Sequence, residues 1–482
     1  MKPFAHVSRR SFILNAAATV GTAAIAPTFS LAQSGFTSKR PAPSARRFRS
    51  KAVDAAIESV SSRMRDPELA WLFSNCLPNT LDTTVGFTNG PAGPDTVVVT
   101  GDIPAMWLRD SSAQVWPYLP FLTADAELAR LIEGVIRRQT RCILTDPYAN
   151  AFMPDLGSAE PLSWSKTDRT DMKPGVGERK WEVDSLCYPV RLAHEYWRIT
   201  HDTRPFDAAW TRAMNAILET FTAQQRKTSR GPYRFQREAF SPYDTLSEDG
   251  YGNPARPIGL IYSGFRPSDD ACIYPLNILG NFFAVKTLER IEEMLTEIAH
   301  DTTAASQAGR LRSEIKSALD AHARIHHGTA GDIWAYEIDG FGNANCMDDA
   351  NAPSLLAMPY LGSCAADDSR YLATRRFVLS DANPYFFRGS AAEGIGGPHI
   401  GQDMIWPMSI IMRALTTSDE SEQRQCLTWL KTTHAGTGFM HESFNKDDPA
   451  KFTRAWFAWA NTLFGELILT IDRSNPKLIE KS

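Results

Sequence analysis

The feature of this sequence that most constrains its fold is a helical spacing of apolar residues that recurs along the chain. Over residues 128–136 apolar side chains follow the i, i+3, i+4, i+7 pattern of a helix with one buried face, and Thr123 is the predicted N-cap. Five further stripes of this kind begin at Leu186, Met214, Leu279, Leu311 and Trp456. The clearest strand signal lies at residues 96–100, and strands do not alternate with helices. The pattern predicts an all-α chain and argues against a Rossmann or TIM-type sheet.

The segments between these stripes share a composition rich in glycine, proline, aspartate and aromatic residues. They are residues 100–117, 181–189, 263–275, 334–359, 383–407 and 439–457. Paired helices with such loops gathered at one end describe an α/α toroid with a loop-built active site at that end, because functional residues commonly lie on loops held by a rigid scaffold. No low-complexity linker interrupts the chain after Lys51, so residues 52–482 are predicted to form one catalytic domain.

The N-terminus has the order of an export signal. Arg9 and Arg10 precede an alanine-rich stretch over residues 16–26, and Ser30, Leu31 and Ala32 offer a small-x-small cleavage site. Residues 1–32 are therefore predicted to be a twin-arginine signal peptide, and the protein is expected to be periplasmic or extracellular. The apolar stretch is too short to span a bilayer, so no stable membrane insertion is expected. Residues 33–51, rich in Ser, Pro, Lys and Arg, are predicted to be a flexible leader.

The net charge and the positions of the cysteines limit which partners and which metal or redox centres the chain can have. The formal net charge is −4, and residues 1–32 carry three basic residues and no acid, so cleavage changes the charge to −4 − 3 = −7. An acidic body of this kind argues against a nucleic-acid partner. The seven cysteines include no C-x-x-C pair, so the sequence predicts no zinc knuckle and no thioredoxin-type centre.

Two of the loop segments combine carboxylates with an arginine or a tryptophan. In the first, Asp102, Trp107, Arg109 and Asp110 supply an apolar platform, a forked donor and acceptors, which is a mixture that suits sugar hydroxyls. The alternative is a structural Arg–Asp pair beneath a core tryptophan. In the second, Trp181–Ser185, Glu182 and Asp184 open a helix, where acids also serve simply to complement the helix dipole.

The segment 265–271 places two adjacent carboxylates, Asp269 and Asp270, among aromatic residues. A buried carboxyl beside a like charge has a raised pKa, which keeps a general acid protonated near neutral pH. The alternative is that Ser268 caps a helix whose first turn holds the two acids.

Three further motifs bear on catalysis or on metal binding. Glu442 follows His441, but Asn445 stands where a zincin requires its second histidine, so Glu442 is interpreted as a base that deprotonates water. His399 is interpreted as a hydrogen-bonding histidine near a site, with a structural histidine as the alternative. Asp348 and Asp349 lack the spacing of a calcium loop, and the glycines at 394–397 lack the nucleotide-binding fingerprint.

Taken together, these stretches resemble glycoside hydrolase family 125, the metal-independent exo-α-1,6-mannosidases. The matching stretches are GDIPAMWLRDSSAQVWPYLP (101–120), WEVDSLCYPVRL (181–192), SGFRPSDDA (263–271), residues 335–362, NPYFFRG (383–389), GIGGPHIGQDMIWPMSII (394–411) and residues 440–467 beginning MHESF. The resemblance implies a six-hairpin toroid that removes mannose from the non-reducing ends of α-1,6-linked glycans with inversion. It implies no metal and no cofactor, and a mannose-containing oligosaccharide as substrate.

The resemblance also implies roles for individual residues. Asp269 corresponds to the general acid, with Asp270 as the alternative, and Glu442 corresponds to the general base. The positions implied to contact sugar are Asp102, Trp107, Arg109, Asp110, Glu182, Asp184, Arg266, Asp270 and His399. The competing interpretations are a calcium-dependent α-mannosidase, another six-hairpin glycosidase, and a carbohydrate-binding protein that has lost catalysis.

Overall fold

A computed structural model describes residues 35–91, 93–239 and 241–480, so the predicted signal peptide at 1–32 lies outside the described residues. Helices dominate this part of the chain. The α-helices are α1 Lys51–Arg63, α2 Pro67–Cys76, α3 Asn79–Thr83, α4 Leu108–Val115, α5 Ala126–Thr145, α6 Val183–Thr200, α7 Ala208–Gln224, α8 Ile278–Met294, α9 Thr302–His322, α10 Ser369–Val378, α11 Pro407–Leu415, α12 Glu420–Thr432 and α13 Ala458–Ser474. Within the described ranges, no helix is both long enough and apolar enough to cross a bilayer.

The strands are short, and those in the loops between helices build small antiparallel sheets. They are β1 Val85–Gly90, β2 Gly93–Val98, β3 Met106–Trp107, β4 Ala151–Phe152, β5 Val176–Glu178, β6 Leu276–Asn277, β7 Arg324–His327, β8 Gly331–Trp334, β9 Glu337–Ile338, β10 Ala344–Asn345, β11 Phe386–Arg388, β12 Glu393–Ile395, β13 Met404–Ile405, β14 Ser443–Asn445 and β15 Phe452–Thr453. Three-stranded sheets have the orders β3-β4-β5, β10-β9-β6 and β13-β14-β15. Hairpins pair β1 with β2, β7 with β8 and β11 with β12. The predicted strand near residue 96 is confirmed as β2, which pairs with β1.

The helices form two concentric layers. In the inner layer α13 contacts both α4 and α11, α4 contacts α6, and α6 contacts α8. The outer helices follow their inner partners in sequence: α5 after α4, α7 after α6, α9 after α8 and α12 after α11, while α2 packs against α13. The inner helices are buried on nearly every side, as the burial of α4 and α13 illustrates. The prediction of an all-α, six-hairpin toroid is confirmed.

One inner position is filled by irregular chain rather than by a helix. Residues 354–361 form successive turns whose leucine, alanine and methionine side chains are buried in the core. Tyrosines tie this segment to the helices around it. Tyr188 of α6 donates to Ala352 O, Tyr371 of α10 donates to Leu356 O, and Tyr360 donates to Glu466 of α13 at 2.9 Å. These bonds add to the segment's own backbone turns, such as Leu361 N to Ala357 O at 3.1 Å, and satisfy buried polar groups that require partners.

The helix starts show which local signals were correct. The stripe at 128–136 is the buried face of α5, as predicted. Its N-cap is Asp125, which accepts from Leu128 N at 3.1 Å, and the prediction of Thr123 is wrong by two residues because the chain there is still in a turn, with Ala124 N donating to Phe121 O. α6 begins at Val183 with Glu182 as N-cap residue, so the prediction that Glu182 and Asp184 open a helix is confirmed.

The prediction of a flexible leader over residues 33–51 does not hold for residues 35–50. Phe36 stacks on Trp71 of α2 with ring centroids 5.0 Å apart, and Trp71 Nε1 donates to Thr37 O at 2.7 Å. Arg40 forms ion pairs with Asp82 and Asp54, which packs this segment against the domain. The composition is that of a polar tail, but the partners lie on helices more than ten residues away and so leave no local signal.

The packing of α13 against Leu77 generates a prediction. A Cβ on Gly465 of α13 would lie 2.8 Å from Leu77 Cα, so the helix approaches this close only with glycine. Gly465→Ala should lower the free energy of unfolding by about 1–3 kcal/mol, measured by urea titration, because the backbone must move apart.

Gly309 in α9 is the matched control. A Cβ there would meet only the end of the Glu292 side chain, which can move away. Gly309→Ala should be neutral or stabilising by up to ~1 kcal/mol, since alanine favours helix over glycine. Equal destabilisation by the two changes would contradict the close approach at Leu77.

Candidate active site

The N-terminal ends of the inner helices meet at one cavity. The N-cap residues of α4, α11 and α13 are Trp107, Trp406 and Phe457, and all three line it. None of the three caps its helix with its own side chain, and neighbouring loops help instead: Leu108 N donates to Asn150 O at 3.0 Å and Ala458 N donates to Thr100 O at 3.1 Å. The loops are thereby fixed to the helix ends, where the positive ends of the helix dipoles favour negative charge.

The empty space at this site, counted together with the open solvent at its mouth, is about 350 Å³. Its walls combine four aromatic residues with charged and amide side chains. The lining residues are Thr100, Trp107, Arg109, Asp110, Pro267, Ser268, Asp269, Asn351, His399, Trp406, Glu442, Arg454, Phe457 and Trp459. Aromatic faces with a few convergent polar groups are typical of a small-molecule site.

A buried cluster of charges lies around Arg109. The Arg109 guanidinium donates to Glu182 at 2.6 Å, to Asp184 at 3.2 Å and to Asp269 at 3.2 Å, and it lies 3.5 Å from Asp110. Each of these side chains is less than a tenth exposed. One positive charge thus faces four carboxyl groups in a place that water barely reaches. Such a cluster is stable only if some of the carboxyl groups keep their protons.

The carboxyl groups behind Arg109 have raised pKa values. Burial raises the pKa of Glu182 well above its usual range, and the neighbouring Asp269 and Asp184 add to the effect. Burial likewise raises the pKa of Asp184 to about 6. Protons are therefore retained next to Asp269 near neutral pH, and they are shared within a coupled group rather than belonging to one residue.

Asp269 lies at the tip of a tight turn, residues 265–271, which we call the acid hairpin. Phe265 and Ala271 form an antiparallel bridge, and Asp269 N donates to Arg266 O at 2.9 Å. The interpretation of Ser268 as a helix cap is wrong, because no helix follows and Asp269 has φ 64°, in the left-handed region. A strained aspartate of this kind persists only where surrounding contacts hold it. Here Asn150, fully buried, donates to Asp269 Oδ1 at 3.2 Å.

Asp270 turns away from Asp269 towards the opposite wall. Its Oδ1 lies 3.1 Å from His399 Nδ1, and its other oxygen accepts from Ser268. Of the two adjacent aspartates, Asp269 is the one that lines the cavity. Asp270 and His399 together close the side of the acid hairpin that faces Trp406.

Glu442 is far from Asp269 in the sequence but lines the same cavity. It immediately precedes β14, which pairs with β13 and β15. Its Oε1 accepts from Arg454 at 3.3 Å, while Oε2 accepts no hydrogen bond from any described residue. Arg454 also binds Asp102 at the rim, with Arg454 Nε 2.9 Å from Asp102 Oδ1. The Arg454 guanidinium thus lies between two carboxylates, one on the cavity wall and one at its rim.

A buried histidine supports the segment that carries Glu442. His441 stacks on Phe452 of β15, with ring centroids 3.7 Å apart and planes at 3°. Burial lowers the pKa of His441 to about 4. The preceding turn packs on α2, where Asn75 donates to Gly438 O at 3.3 Å and a Cβ on Gly438 would touch the Trp71 ring.

The predicted site residues divide into three groups. Those that line the cavity are Trp107, Arg109, Asp110, Asp269, His399 and Glu442. Those behind its wall are Glu182, Asp184 and Asp270, which touch lining residues, and Arg266. The Arg266 guanidinium donates two hydrogen bonds to the Glu337 carboxylate, at 2.6 and 2.9 Å. Asp102 lies at the edge. The sugar contacts expected of these residues stay predictions.

Several residues at the site were not predicted from the sequence. Asn150 joins Asp269 to Glu178 and Glu182, and Asn351 and Phe457 belong to the wall. Arg454 follows Glu442 closely enough in the sequence that its charge could have been assigned to the site. Asn150 lies in a loop without a motif and had no such signal.

Asp348 uses both carboxylate oxygens, and Asp349 uses Oδ1, for hydrogen bonds within the protein. Asp348 accepts from the backbone of Leu355 and Leu356 at 2.8 and 3.0 Å, and Asp349 accepts from Asn351 N at 3.0 Å. Among the described residues, no group of three or more His, Cys, Asp and Glu side chains has the arrangement of a metal site. The acid pair therefore shapes the 348–356 turn.

The burial of His441 predicts a pH-dependent stability. Because the unfolded chain binds a proton near pH 6.5 and the folded ring only near pH 4, lowering the pH through this window favours the unfolded state. The free energy of unfolding should fall by about 3 kcal/mol from this one group. Urea titrations from pH 7 to 4 should show that loss in the wild type and not in His441→Phe.

The comparison isolates His441, since all other titrating groups are common to both proteins. The carboxyl groups around Arg109 act with the opposite sign, because their raised pKa values favour the folded state at lower pH. A difference between wild type and variant that is constant with pH would contradict a neutral, buried His441.

Comparison with known proteins agrees with this geometry. The family model described as metal-independent alpha-mannosidase (GH125) matches residues 66–469. The meiotically up-regulated gene 157 protein of Schizosaccharomyces pombe is 42% identical over 461 residues, which cover 92% of this chain and 90% of that protein. A metal-independent α-mannosidase of Streptococcus pneumoniae, solved in a non-productive complex with α-1,6-mannobiose, is 42% identical with a TM-score of 0.84, over 89% of this chain and 100% of that one. The chain belongs to the GH125 family of metal-independent α-mannosidases and is a glycoside hydrolase.

Proposed function

We propose that this α-mannosidase is exo-acting, removes non-reducing-end mannose from α-1,6-linked chains, and inverts the anomeric centre with Asp269 as acid and Glu442 as base. The observation that carries the proposal is that these two carboxyl groups line one cavity although 173 positions (442 − 269) separate them. The α-1,6-mannobiose complex of the Streptococcus pneumoniae relative supports the linkage. Inversion follows from a pair in which one carboxyl protonates the leaving oxygen and the other activates water.

Asp269 has the surroundings that a general acid needs. The charges of Glu182, Asp184 and Asp110 around a single guanidinium keep protons within the cluster, and Asp269 lines the cavity wall beside Ser268. In the reaction the Asp269 proton goes to the glycosidic oxygen as the bond from that oxygen to C1 breaks. The leaving sugar departs as an alcohol, and Asp269 is left ionised.

Glu442 has the surroundings that a general base needs. Arg454 binds one carboxylate oxygen, and the second oxygen is buried without a partner among the described residues, so a water molecule held in the cavity would supply the hydrogen bond that it lacks. Glu442 takes one proton from that water while the water oxygen bonds to C1 from the face opposite the leaving group. The product is β-mannose, and the two carboxyl groups regain their starting states by proton exchange with solvent.

The floor of the cavity supports exo action. Arg109 and the carboxyl groups behind it are buried, so the cavity is closed beneath, which supports binding of the end of a chain. Trp107, Trp406 and Trp459 offer apolar faces to a sugar ring, and Arg109 with Asp110 offers donors and acceptors for vicinal hydroxyls. These residues are proposed to hold the terminal mannose.

The two-carboxylate mechanism is tested with α-1,6-mannobiose and an aryl α-mannoside. Asp269→Asn and Glu442→Gln should each lower kcat on the mannobiose by at least ~10²-fold, because general acid and base groups typically supply ~10²–10⁴-fold. An aryl leaving group needs little protonation, so Asp269→Asn should recover much of its activity on the aryl mannoside while Glu442→Gln should not. Free mannose is measured with and without EDTA, and the first-formed anomer is read by NMR.

Wild-type enzyme should release β-mannose from the α-1,6 linkage faster than from α-1,2 or α-1,3 linkages, and EDTA should not change the rate. Asp270→Asn is the matched control for Asp269→Asn. If Asp270→Asn is inactive and Asp269→Asn is near wild type, the acid is Asp270. Retained activity in both Asp269→Asn and Glu442→Gln would defeat the mechanism, and release of α-mannose would defeat inversion.

We also propose that the protein is exported by the twin-arginine route, on the basis of Arg9, Arg10 and the alanine-rich stretch that follows. Replacing both arginines by lysine should leave activity in the cytosolic fraction and remove it from the exported fraction, as measured by cell fractionation. A variant with Lys39→Gln, beyond the predicted cleavage site, is the control and should be exported normally. Normal export of the double variant would contradict the proposal.

A further inference from the structure

Lys180 lies directly behind the acid hairpin, and none of the roles proposed above involves it. It stands between β5 and α6, and its side chain is 0% exposed. Its ammonium donates to the main-chain carbonyl of Asp269 at 2.6 Å and to Asp244 Oδ1 at 2.9 Å. The same ammonium lies 4.9 Å from the centre of the Phe265 ring, at the base of the hairpin. Lys180 therefore touches the hairpin at both its tip and its base.

The Lys180–Asp244 pair is held in its ionised form, with Lys180 fully buried and the Asp244 side chain 30% exposed. Burial alone would lower the pKa of Lys180, but the charges of Asp244 and Glu178 outweigh it and raise that pKa, against an opposing effect of Arg237. The positive charge of Lys180 in turn lowers the pKa of Asp244. A buried ion pair brings little net stability compared with an apolar pair of the same size. What distinguishes this pair is the third contact, to the carbonyl of Asp269.

The hydrogen bond from Lys180 to the Asp269 carbonyl acts on the residue whose backbone is strained. Asp269 has φ 64°, and a non-glycine residue stays in the left-handed region only if other groups hold its peptide planes. The carbonyl oxygen marks the orientation of the peptide plane that follows Asp269, and Lys180 fixes it. Arg109 and Asn150 fix the carboxyl oxygen Oδ1 from the other side, each at 3.2 Å. The acid is thus held at its backbone and at its side chain by independent donors.

We propose that Lys180 is a positioning residue for the general acid: by binding the carbonyl of Asp269 it keeps the left-handed turn that aims the Asp269 carboxyl at the glycosidic oxygen. This proposal rests on the assignment of Asp269 as the acid. Lys180 itself does not touch the cavity, since it is not among the lining residues. Its loss should impair protonation of the leaving group and leave the activation of water by Glu442 intact.

A purely structural ion pair would behave differently. Its loss would lower the amount of folded enzyme, or reduce turnover of all substrates by one common factor. A displaced acid instead affects substrates in proportion to their need for protonation. The ratio of kcat/KM on α-1,6-mannobiose to kcat/KM on 2,4-dinitrophenyl α-mannoside separates the two, because that ratio does not depend on the fraction of folded enzyme.

The experiment measures this ratio in Lys180→Met. Mispositioning of a reacting group by about 1 Å costs as much as ~10²-fold, so kcat/KM on the mannobiose should fall by ~10–10²-fold, while the dinitrophenyl substrate should lose less than ~3-fold. The double variant Lys180→Met/Asp244→Asn removes both charges of the ion pair together and should keep the same altered ratio. The double variant is included because the single variant leaves Asp244 without Lys180 and could fail to fold for that reason.

Arg179→Met is the matched control. Arg179 is the preceding residue and is also buried, and its guanidinium donates to Asp146 at 2.6 Å and to Thr170 at 2.8 Å. Its ratio should equal that of the wild type, whatever the loss of stability. If both Lys180 variants also keep the wild-type ratio, the positioning role is overturned.

Asp269→Asn, measured in parallel, separates this failure from failure of the mechanism. If Asp269→Asn shows no dependence on the leaving group, the acid assignment fails and the Lys180 proposal fails with it. If Asp269→Asn shows that dependence and Lys180→Met does not, only the Lys180 proposal is overturned. An altered ratio in both supports the two proposals together.

Discussion

The structure of the site depends on one guanidinium. Arg109 lies in the first turn of α4. It is the common partner of Glu182 and Asp184, at the start of α6, and of Asp269 in the acid hairpin. Without it, these buried carboxyl groups would repel each other or all be neutral. With it, one positive charge faces an excess of carboxyl groups, so some of them keep their protons and the carboxyl of Asp269 has a proton source beside it. The mechanism proposed for Asp269 follows from that imbalance between one cation and several acids.

The toroid explains why such a cluster can form at all. The inner helices bring their N-terminal ends to one place, so residues at the first turns of α4 and α6 and the loops before α11 and α13 become neighbours. Each loop is fixed to a helix end by backbone hydrogen bonds, which limits how far the wall can move. The irregular segment at 354–361 keeps the ring closed with tyrosine hydroxyls where a helix is missing. The scaffold is thus rigid where the chemistry requires fixed distances.

The helices and the carboxylates were predictable from the sequence, because both leave local signals. A stripe such as 128–136 needs only the helical period, and Glu442 was recognised from its immediate neighbours and the family resemblance. The acid hairpin was not predictable, since Ser-Asp-Asp reads equally well as a helix start, and what decides against it is the bridge from Phe265 to Ala271 together with Lys180 on the Asp269 carbonyl. Asn150 and the packing of Phe36 on Trp71 depend on contacts with residues far away in the sequence. Such contacts exist only after the chain has folded.

The contacts of α13 have a consequence for how the protein forms. This helix bridges α4 and α11 and supplies Trp459 to the cavity wall, so the ring stays open until it docks. A growing chain on the ribosome therefore has no sugar pocket, and the buried side of α4 waits for a partner helix that begins 343 residues after α4 ends (458 − 115). Pairings across such sequence distances form slowly and leave apolar surface open to aggregation in the meantime. We expect nascent chains that end before α13 to be clients of chaperones.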